Sequence, residues 1–123
     1  MPNQHQYTLY VRKAINSIKQ HLDNYPLKYK TSSDLLDDTT HVNRKILEKA
    51  FKEMYGYRIK EYQVRQRLEF SKNYLKEGMS IKRVAEKCFY RSQSAYCTAF
   101  KREFKTTPTG WLKLENNKTI TQL

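Results

Sequence analysis

Two short stretches of the sequence carry polar side chains suited to binding a partner. The first, Arg44-Lys45, directly follows Asn43. The second surrounds Ser92 and comprises Arg91, Gln93, Ser94, Cys97 and Thr98. A glutamine amide can bond adenine at two points, and serine or threonine hydroxyls can bond bases or phosphates. This side-chain chemistry indicates contact with nucleic acid.

The position of Arg44 and Lys45 supports the same interpretation. Asn43 is a favourable N-cap, so both cations would lie in a first helical turn, where the helix dipole favours acids instead. A helix whose first turn approaches bases and phosphates would retain such cations. The alternative is a surface pair that is tolerated at a cost of roughly a few tenths of a kcal/mol.

The sequence has little of the chemistry that catalysis or metal binding needs. It contains no glycine-rich phosphate loop, no Ser-His-Asp order and no isolated carboxylate pair, so we predict that the protein is not an enzyme. His5, His21 and His41 lie far apart, and with Cys88 and Cys97 they match no zinc-binding spacing. We therefore expect no metal and no cofactor, with a redox role of Cys97 as an open alternative.

The charge balance points to a polyanionic partner. The chain has 24 Lys and Arg against 12 Asp and Glu, a net charge of +12 and a pI near 9.7. Such a field attracts nucleic acid, an anionic membrane surface or an acidic protein. Nucleic acid is favoured, because high basicity is its usual electrostatic footprint.

Length and composition predict a small helical protein. A chain of 123 residues suits one modest domain, or two very small ones that share a core. Aromatic residues make up 13%, which argues against disorder, and three Gly with three Pro are too few for an all-β fold. No apolar run could cross a membrane and no signal peptide is visible, so we expect a cytoplasmic, nucleoid-associated protein with free thiols.

Apolar residues recur at helical spacing in seven segments, separated by caps and breakers. The first three segments contain the stripe Val11, Ile15, Ile18 and Leu22; then Leu35 and Leu36; and then Ile46, Leu47, Ala50, Phe51 and Met54 between Asn43 and Gly56. The fourth is a helix of about 18 residues from Lys60 to Glu77. The last three contain Ile81, Val84 and Ala85 after Ser80; Tyr96, Phe100 and Phe104 after Ser92; and a last turn from Thr107-Pro108 with Trp111. Beyond Lys113 the chain is polar and is predicted to fray.

The segments contain an internal repeat. Leu36 matches Val84, 48 residues on, and after a one-residue step Phe51 matches Phe100, 49 residues on. The remaining matches join Asp37 with Ala85, Val42 with Tyr90, Asn43 with Ser92, Leu47 with Tyr96, Tyr55 with Phe104 and Tyr62 with Trp111. Each unit is a short helix, a tight turn and a longer helix, which is the helix-turn-helix layout.

These residues resemble the AraC/XylS family of bacterial transcription regulators. The first half of the resemblance rests on Asn43, Leu47, Phe51-Lys52, Gly56, Tyr62, Arg67-Leu68, Ser71 and Leu75. The second half rests on Ile81, Val84-Ala85, Tyr90, Gln93-Ser94, Tyr96, Phe100-Lys101, Phe104 and Pro108. The joint spacing of these positions, from Ile15 to about Trp111, carries the resemblance.

The resemblance implies an all-α fold of about seven helices, with two helix-turn-helix subdomains joined by a long linker helix. The expected parts are residues 9–57, the linker 58–78, residues 79–114 and a flexible tail 115–123. It further implies that Arg44, Lys45, Glu48 and Lys49 of the first unit, and Gln93, Ser94, Cys97 and Thr98 of the second, contact DNA. The implied function is a sequence-specific regulator of the short stand-alone type, and an activator. Its partners would be promoter DNA, bound as a monomer, and RNA polymerase.

Four residues depart from the family pattern. Asp37 stands where alanine is usual, Phe89 and Lys105 where glycine is usual, and Thr98 where arginine often reaches DNA. Because phenylalanine seldom adopts a positive φ, we expect a different turn at Phe89. The competing function is a basic all-α adaptor that binds an acidic protein without reading DNA. Selection of a specific site from random duplexes discriminates the two.

Overall fold

The computed structural model describes the backbone of residues 7–122 and the side chains of residues 7–118. This part of the chain forms seven α-helices and no strand: α1 (Leu9–Asn24), α2 (Ser32–Thr39), α3 (Arg44–Tyr55), α4 (Ile59–Lys76), α5 (Ile81–Lys87), α6 (Gln93–Phe104) and α7 (Pro108–Gln122). The predicted all-α fold is confirmed. His5, considered above as a metal ligand, lies outside the described residues.

Side-chain oxygens begin most of the helices. Each accepts a hydrogen bond from a backbone N–H of the first turn, a group that the helix itself leaves unpaired. The caps predicted from the sequence are confirmed at Thr31, Asn43, Ser80, Ser92 and Thr107. At the other end of α3, Gly56 adopts φ 83°, the left-handed conformation that ends many helices.

The chain divides into two compact units, one up to Gln66 and the other from Arg67 onward. The division falls inside α4, an unbroken helix of 18 residues. The first half of α4 therefore belongs to the first unit and the second half to the other, and the whole helix lies within the segment 58–78 that the resemblance assigns to the linker helix.

The core of the first unit forms where α1 packs against α2 and α3. The predicted stripe of α1 is fully part of it, and its buried partners are Leu35, Leu36, Leu47, Ala50, Phe51 and Ile59. Ile46 was predicted in the same stripe, but its side chain is 45% exposed. One residue before Leu47, Ile46 is rotated about 100° around the helix and points away from α1.

The core of the second unit combines the later part of α4 with α5, α6 and α7. Its buried side chains include Leu68, Leu75, Val84, Ala85, Cys88, Tyr96 and Phe100. The Ser71 hydroxyl donates to the Leu68 carbonyl at 2.6 Å, so the Tyr96 hydroxyl, 2.7 Å away, donates to Ser71. Burial raises the pKa of the Tyr96 phenol, so this hydrogen bond is kept at neutral pH.

Three aromatic rings pack together in the first unit. Phe51 packs edge-on against Tyr55 and Tyr62, with centroid distances of 4.8 and 5.7 Å. The ammonium of Lys19 on α1 lies 5.7 Å from the centroids of both tyrosine rings. This geometry gives a cation–π contact on the outer side of the core.

The same arrangement recurs in the second unit. Phe100 packs edge-on against Phe104 and Trp111, with centroid distances of 4.6 and 6.3 Å. Here the ammonium of Lys72 on α4 lies 3.7 Å from the Phe104 centroid and 5.4 Å from that of Trp111. The predicted repeat is confirmed, and it extends to a lysine on the supporting helix that the sequence comparison did not include.

The turns after α5 and α6 both contain a non-glycine residue with positive φ. Phe89 and Lys105 both have positive φ, 67° and 64°, so each adopts the conformation that glycine takes more easily. The prediction of a different turn at Phe89 is therefore wrong. The turn is held by hydrogen bonds from the N–H groups of Phe89 and Tyr90 to α5 carbonyls. The Arg67 guanidinium lies 5.0 Å from the Phe89 ring centroid and further fixes this residue.

The C-terminal segment also differs from expectation. Helix α7 extends to Gln122, although a tail was predicted over 115–123. No glycine or proline follows Gly110 to interrupt the helix, and Lys118 pairs with Glu115 at 3.5 Å. Polarity alone did not indicate where this helix ends.

Candidate nucleic-acid interface

Helix α3 presents a charged outer face. The Asn43 side-chain oxygen accepts hydrogen bonds from the N–H groups of Lys45 at 2.9 Å and Ile46 at 3.4 Å, which begins the helix. Because Leu47, Ala50 and Phe51 are buried, the opposite face is turned to solvent. Its exposed side chains include the predicted contact residues Arg44, Lys45 and Lys49, and Glu48 beside them is half-buried.

The Arg44 side chain is tied to α2. Its Nη1 donates to the Ser33 hydroxyl at 3.0 Å, and its Nη2 lies 3.5 Å from a carboxylate oxygen of Asp37. The guanidinium nevertheless remains half exposed, with 52% of the side chain accessible. Ser33 and Asp37 were not recognised as partners of Arg44 in the sequence, because the contact depends on how α2 and α3 both pack against α1.

A cleft of about 380 Å³ adjoins α3 and is lined by Glu48, Lys49, Lys52 and Arg58. Two of these, Lys52 and Arg58, were missed as site residues. The spacing of Lys49 and Lys52 could have indicated the second lysine, since residues three apart share a helix face. Arg58 joins them only because the chain turns at Gly56. Three cations and one acid around a cleft favour an anion such as a phosphate.

Helix α6 presents a polar face of lower charge. The Ser92 hydroxyl accepts a hydrogen bond from the Ala95 N–H at 3.1 Å and begins the helix. The predicted contact residues Arg91, Gln93, Ser94 and Thr98 are all exposed. Cys97 is half-buried, and desolvation raises the pKa of its thiol, so the unreactive thiol form prevails at neutral pH.

The helices that precede the two outer faces differ in charge. Helix α2 has three acids and no cation, Asp34, Asp37 and Asp38, whereas α5 carries Lys82, Arg83 and Lys87 with one acid, Glu86. All of these side chains are exposed. In helix-turn-helix proteins the first helix crosses the DNA backbone, so the two units differ in the charge they would bring to phosphates.

Other kinds of site find little support among the described residues. No group of three His, Cys, Asp or Glu in this part of the chain could hold a metal ion. None of the helices from α1 to α7 is both long and apolar enough to cross a bilayer.

The chain thus contains two helix-turn-helix units, each with a capped second helix whose exposed face carries cations or hydrogen-bonding groups. Cations of this kind position a protein on phosphates, and amides and hydroxyls read base edges. The fold and this face define a DNA-binding protein. A family model described as a helix-turn-helix domain matches residues 36–114, most of the chain. The chain belongs to the AraC-type helix-turn-helix family of DNA-binding transcription regulators.

A solved structure supports this assignment. The xylose-binding transcription activator XylR resembles 88% of this chain, with a TM-score of 0.63 and 25% sequence identity. The chain spans 27% of the length of that XylR chain. None of the curated proteins compared with this chain matches it. The family acts on double-stranded DNA and is not a class of enzyme.

Proposed function

We propose that the protein is a sequence-specific transcription activator that inserts α3 and α6 into successive major-groove segments of one asymmetric site. The observation that carries this proposal is the presence of two capped second helices with unlike exposed faces in one chain. Unlike faces prefer unlike base pairs, so the two halves of the site should differ in sequence.

In the first half of the site, Arg44, Lys45 and Lys49 would contact bases or phosphates, and Glu48 would accept from a cytosine amino group. In the second half, Gln93 would bond adenine, and Ser94 and Thr98 would bond bases or phosphates. Arg91, just before the cap of α6, would pair with a phosphate, and Cys97 would make an apolar contact.

One chain carries both helices, so a monomer would suffice for the whole site. This differs from helix-turn-helix proteins with a single unit, which need a dimer to bind two half-sites. As an activator in the cytoplasm, the protein would act by contacting RNA polymerase beside its site. Xylose binding is named for XylR, of which this chain spans only 27% of the length, and we do not propose it for this protein.

Selection of bound duplexes from a random pool tests the proposal. We expect two unlike boxes about ten base pairs apart, the spacing of successive major-groove segments. Salt-sensitive binding without any selected sequence would instead support the adaptor function.

Inserting five base pairs between the selected boxes provides a second test. The insertion turns the boxes to opposite faces of the duplex, so affinity should fall towards that for random DNA. A ten-base-pair insertion, which restores the face but lengthens the gap, is the control for distance alone. Unchanged affinity after the five-base-pair insertion would mean that only one unit engages DNA.

A further inference from the structure

The guanidinium of Arg44 is held by side chains from another helix. Ser33 and Asp37, one turn apart on α2, contact Nη1 and Nη2 at 3.0 and 3.5 Å. Arg44 is also the first residue of α3, where a recognition helix places the side chains that reach base edges. The guanidinium therefore lies beside α2 in the free protein.

Neither stability nor affinity accounts for Asp37. Its side chain is 78% exposed, and an ion pair this open to water adds little to the stability of a fold. Its charge also lies on α2, the helix that would cross the DNA backbone, where an acid repels phosphates. What the carboxylate does supply is an acceptor that favours one direction of the Arg44 fork.

We propose that Asp37, together with Ser33, positions Arg44 to read a guanine in the first half of the site. The inference rests on the proposed function and deepens it by naming the base and a specificity-determining residue. A guanidinium has five N–H donors in a rigid plane, so two bonds to α2 leave donors for guanine O6 and N7. Arginine with guanine is the commonest specific contact in the major groove.

The second unit supplies an internal comparison. Ala85 stands at the position that matches Asp37, and Gln93 at the position that matches Arg44. That unit therefore has neither the carboxylate nor the guanidinium of this pair. Guanine reading by an oriented arginine belongs to the first box, and the amide of Gln93 suits adenine in the second.

The test compares base preference in five proteins: the wild type, Asp37→Asn, Asp34→Asn, Arg44→Ala and the double variant of Asp37→Asn with Arg44→Ala. Duplexes carry the selected site and each single-base variant of its first box, with random DNA as reference. Asp34→Asn is the matched control, because it removes the same charge from the same helix and Asp34 forms no hydrogen bond or ion pair with Arg44. Thermal melting of each protein reports any loss of folding.

We expect the wild type to prefer guanine at one position by roughly 5- to 150-fold, the range of a good bidentate contact. Asp37→Asn should lower that ratio by roughly two- to fivefold, which is what an exposed ion pair can contribute, while affinity for random DNA rises, since an acid near phosphates is lost. Asp34→Asn should keep the ratio. In the Arg44→Ala background, Asp37→Asn should have no further effect on base preference, because Asp37 is proposed to act only by positioning Arg44.

Two results overturn the inference alone: a guanine preference in Asp37→Asn equal to that of the wild type, or losses of melting temperature in Asp37→Asn and Arg44→Ala without any change in base preference. The second result would make the pair a structural link between α2 and α3. A wild type without any base preference, although folded, overturns the proposed function and this inference together.

Discussion

Replacing Phe100 by alanine tests the core of the second unit. The Phe100 ring is fully buried, and its centroid lies 5.8, 4.6 and 6.3 Å from those of Tyr96, Phe104 and Trp111. Truncation removes all three ring contacts and leaves a cavity, so we expect a loss of about 3–5 kcal/mol in the free energy of unfolding. That is a fifth or more of the roughly 5–15 kcal/mol typical of a folded domain.

Urea unfolding followed by circular dichroism measures this loss. At a slope of about 1–3 kcal/mol per molar urea, the midpoint should fall by roughly 1–3 M or more. Tryptophan emission gives a second readout, because Trp111 is the one tryptophan in the chain and contacts Phe100. Its native emission should change in Phe100→Ala.

Phe51→Ala is the matched variant in the first unit, where Tyr62 replaces Trp111 as the ring partner. It should cost a similar free energy, about 3–5 kcal/mol, but leave the native tryptophan emission as in the wild type. If Phe100→Ala instead unfolds at the same urea concentration as the wild type, the packing of α6 against α7 described above is wrong.

Three further predictions concern charge, the backbone and pH. Lys45→Ala should weaken binding to the selected site by about 1–3 kcal/mol without lowering the melting temperature. The affinity of the wild type should fall by about 10³ or more between 50 and 200 mM salt for six phosphate contacts. A salt slope near zero in a binding titration contradicts both predictions. Lys105→Gly should raise the stability by about 0.5–1 kcal/mol, because glycine relieves the positive φ, whereas Lys105→Ala keeps the strain and serves as control. Burial raises the pKa of the Cys88 thiol from 9.0 to about 11, so the contribution of this thiol to stability is complete below pH 9 and is lost as pH rises through 11. Cys88→Ala should flatten this part of the stability profile, measured by urea unfolding at each pH. An unchanged profile would contradict the burial of the thiol.

The helices were predictable because their signals are local. Apolar residues three and four apart determine which face of each helix is buried, and a hydroxyl or amide before the first turn determines where it begins. The stripe from Val11 to Leu22 and the caps at Asn43 and Ser92 are examples, and both were confirmed. The repeat followed from the same signals, because two copies of one local pattern align residue by residue.

Other features depend on contacts that helical periodicity does not describe. The conformation of Phe89 is decided by hydrogen bonds to α5 and by Arg67 on α4, so the residue type alone predicted it wrongly. The contribution of Arg58 to the cleft beside Lys49 and Lys52 depends on the turn after α3.

The candidate interface was likewise predictable only in part from the sequence. The sequence by itself determined that the polar and charged side chains at the start of α3 and α6 lie outward, because helical periodicity turns them away from Leu47 and Tyr96, although it wrongly placed Ile46 in the buried stripe. Only the tertiary structure decided that Arg44 is held by Ser33 and Asp37, since these residues lie on another helix, 11 and 7 positions earlier in the sequence. Periodicity assigns a side chain to one face of its own helix, whereas its partner depends on how two helices pack together.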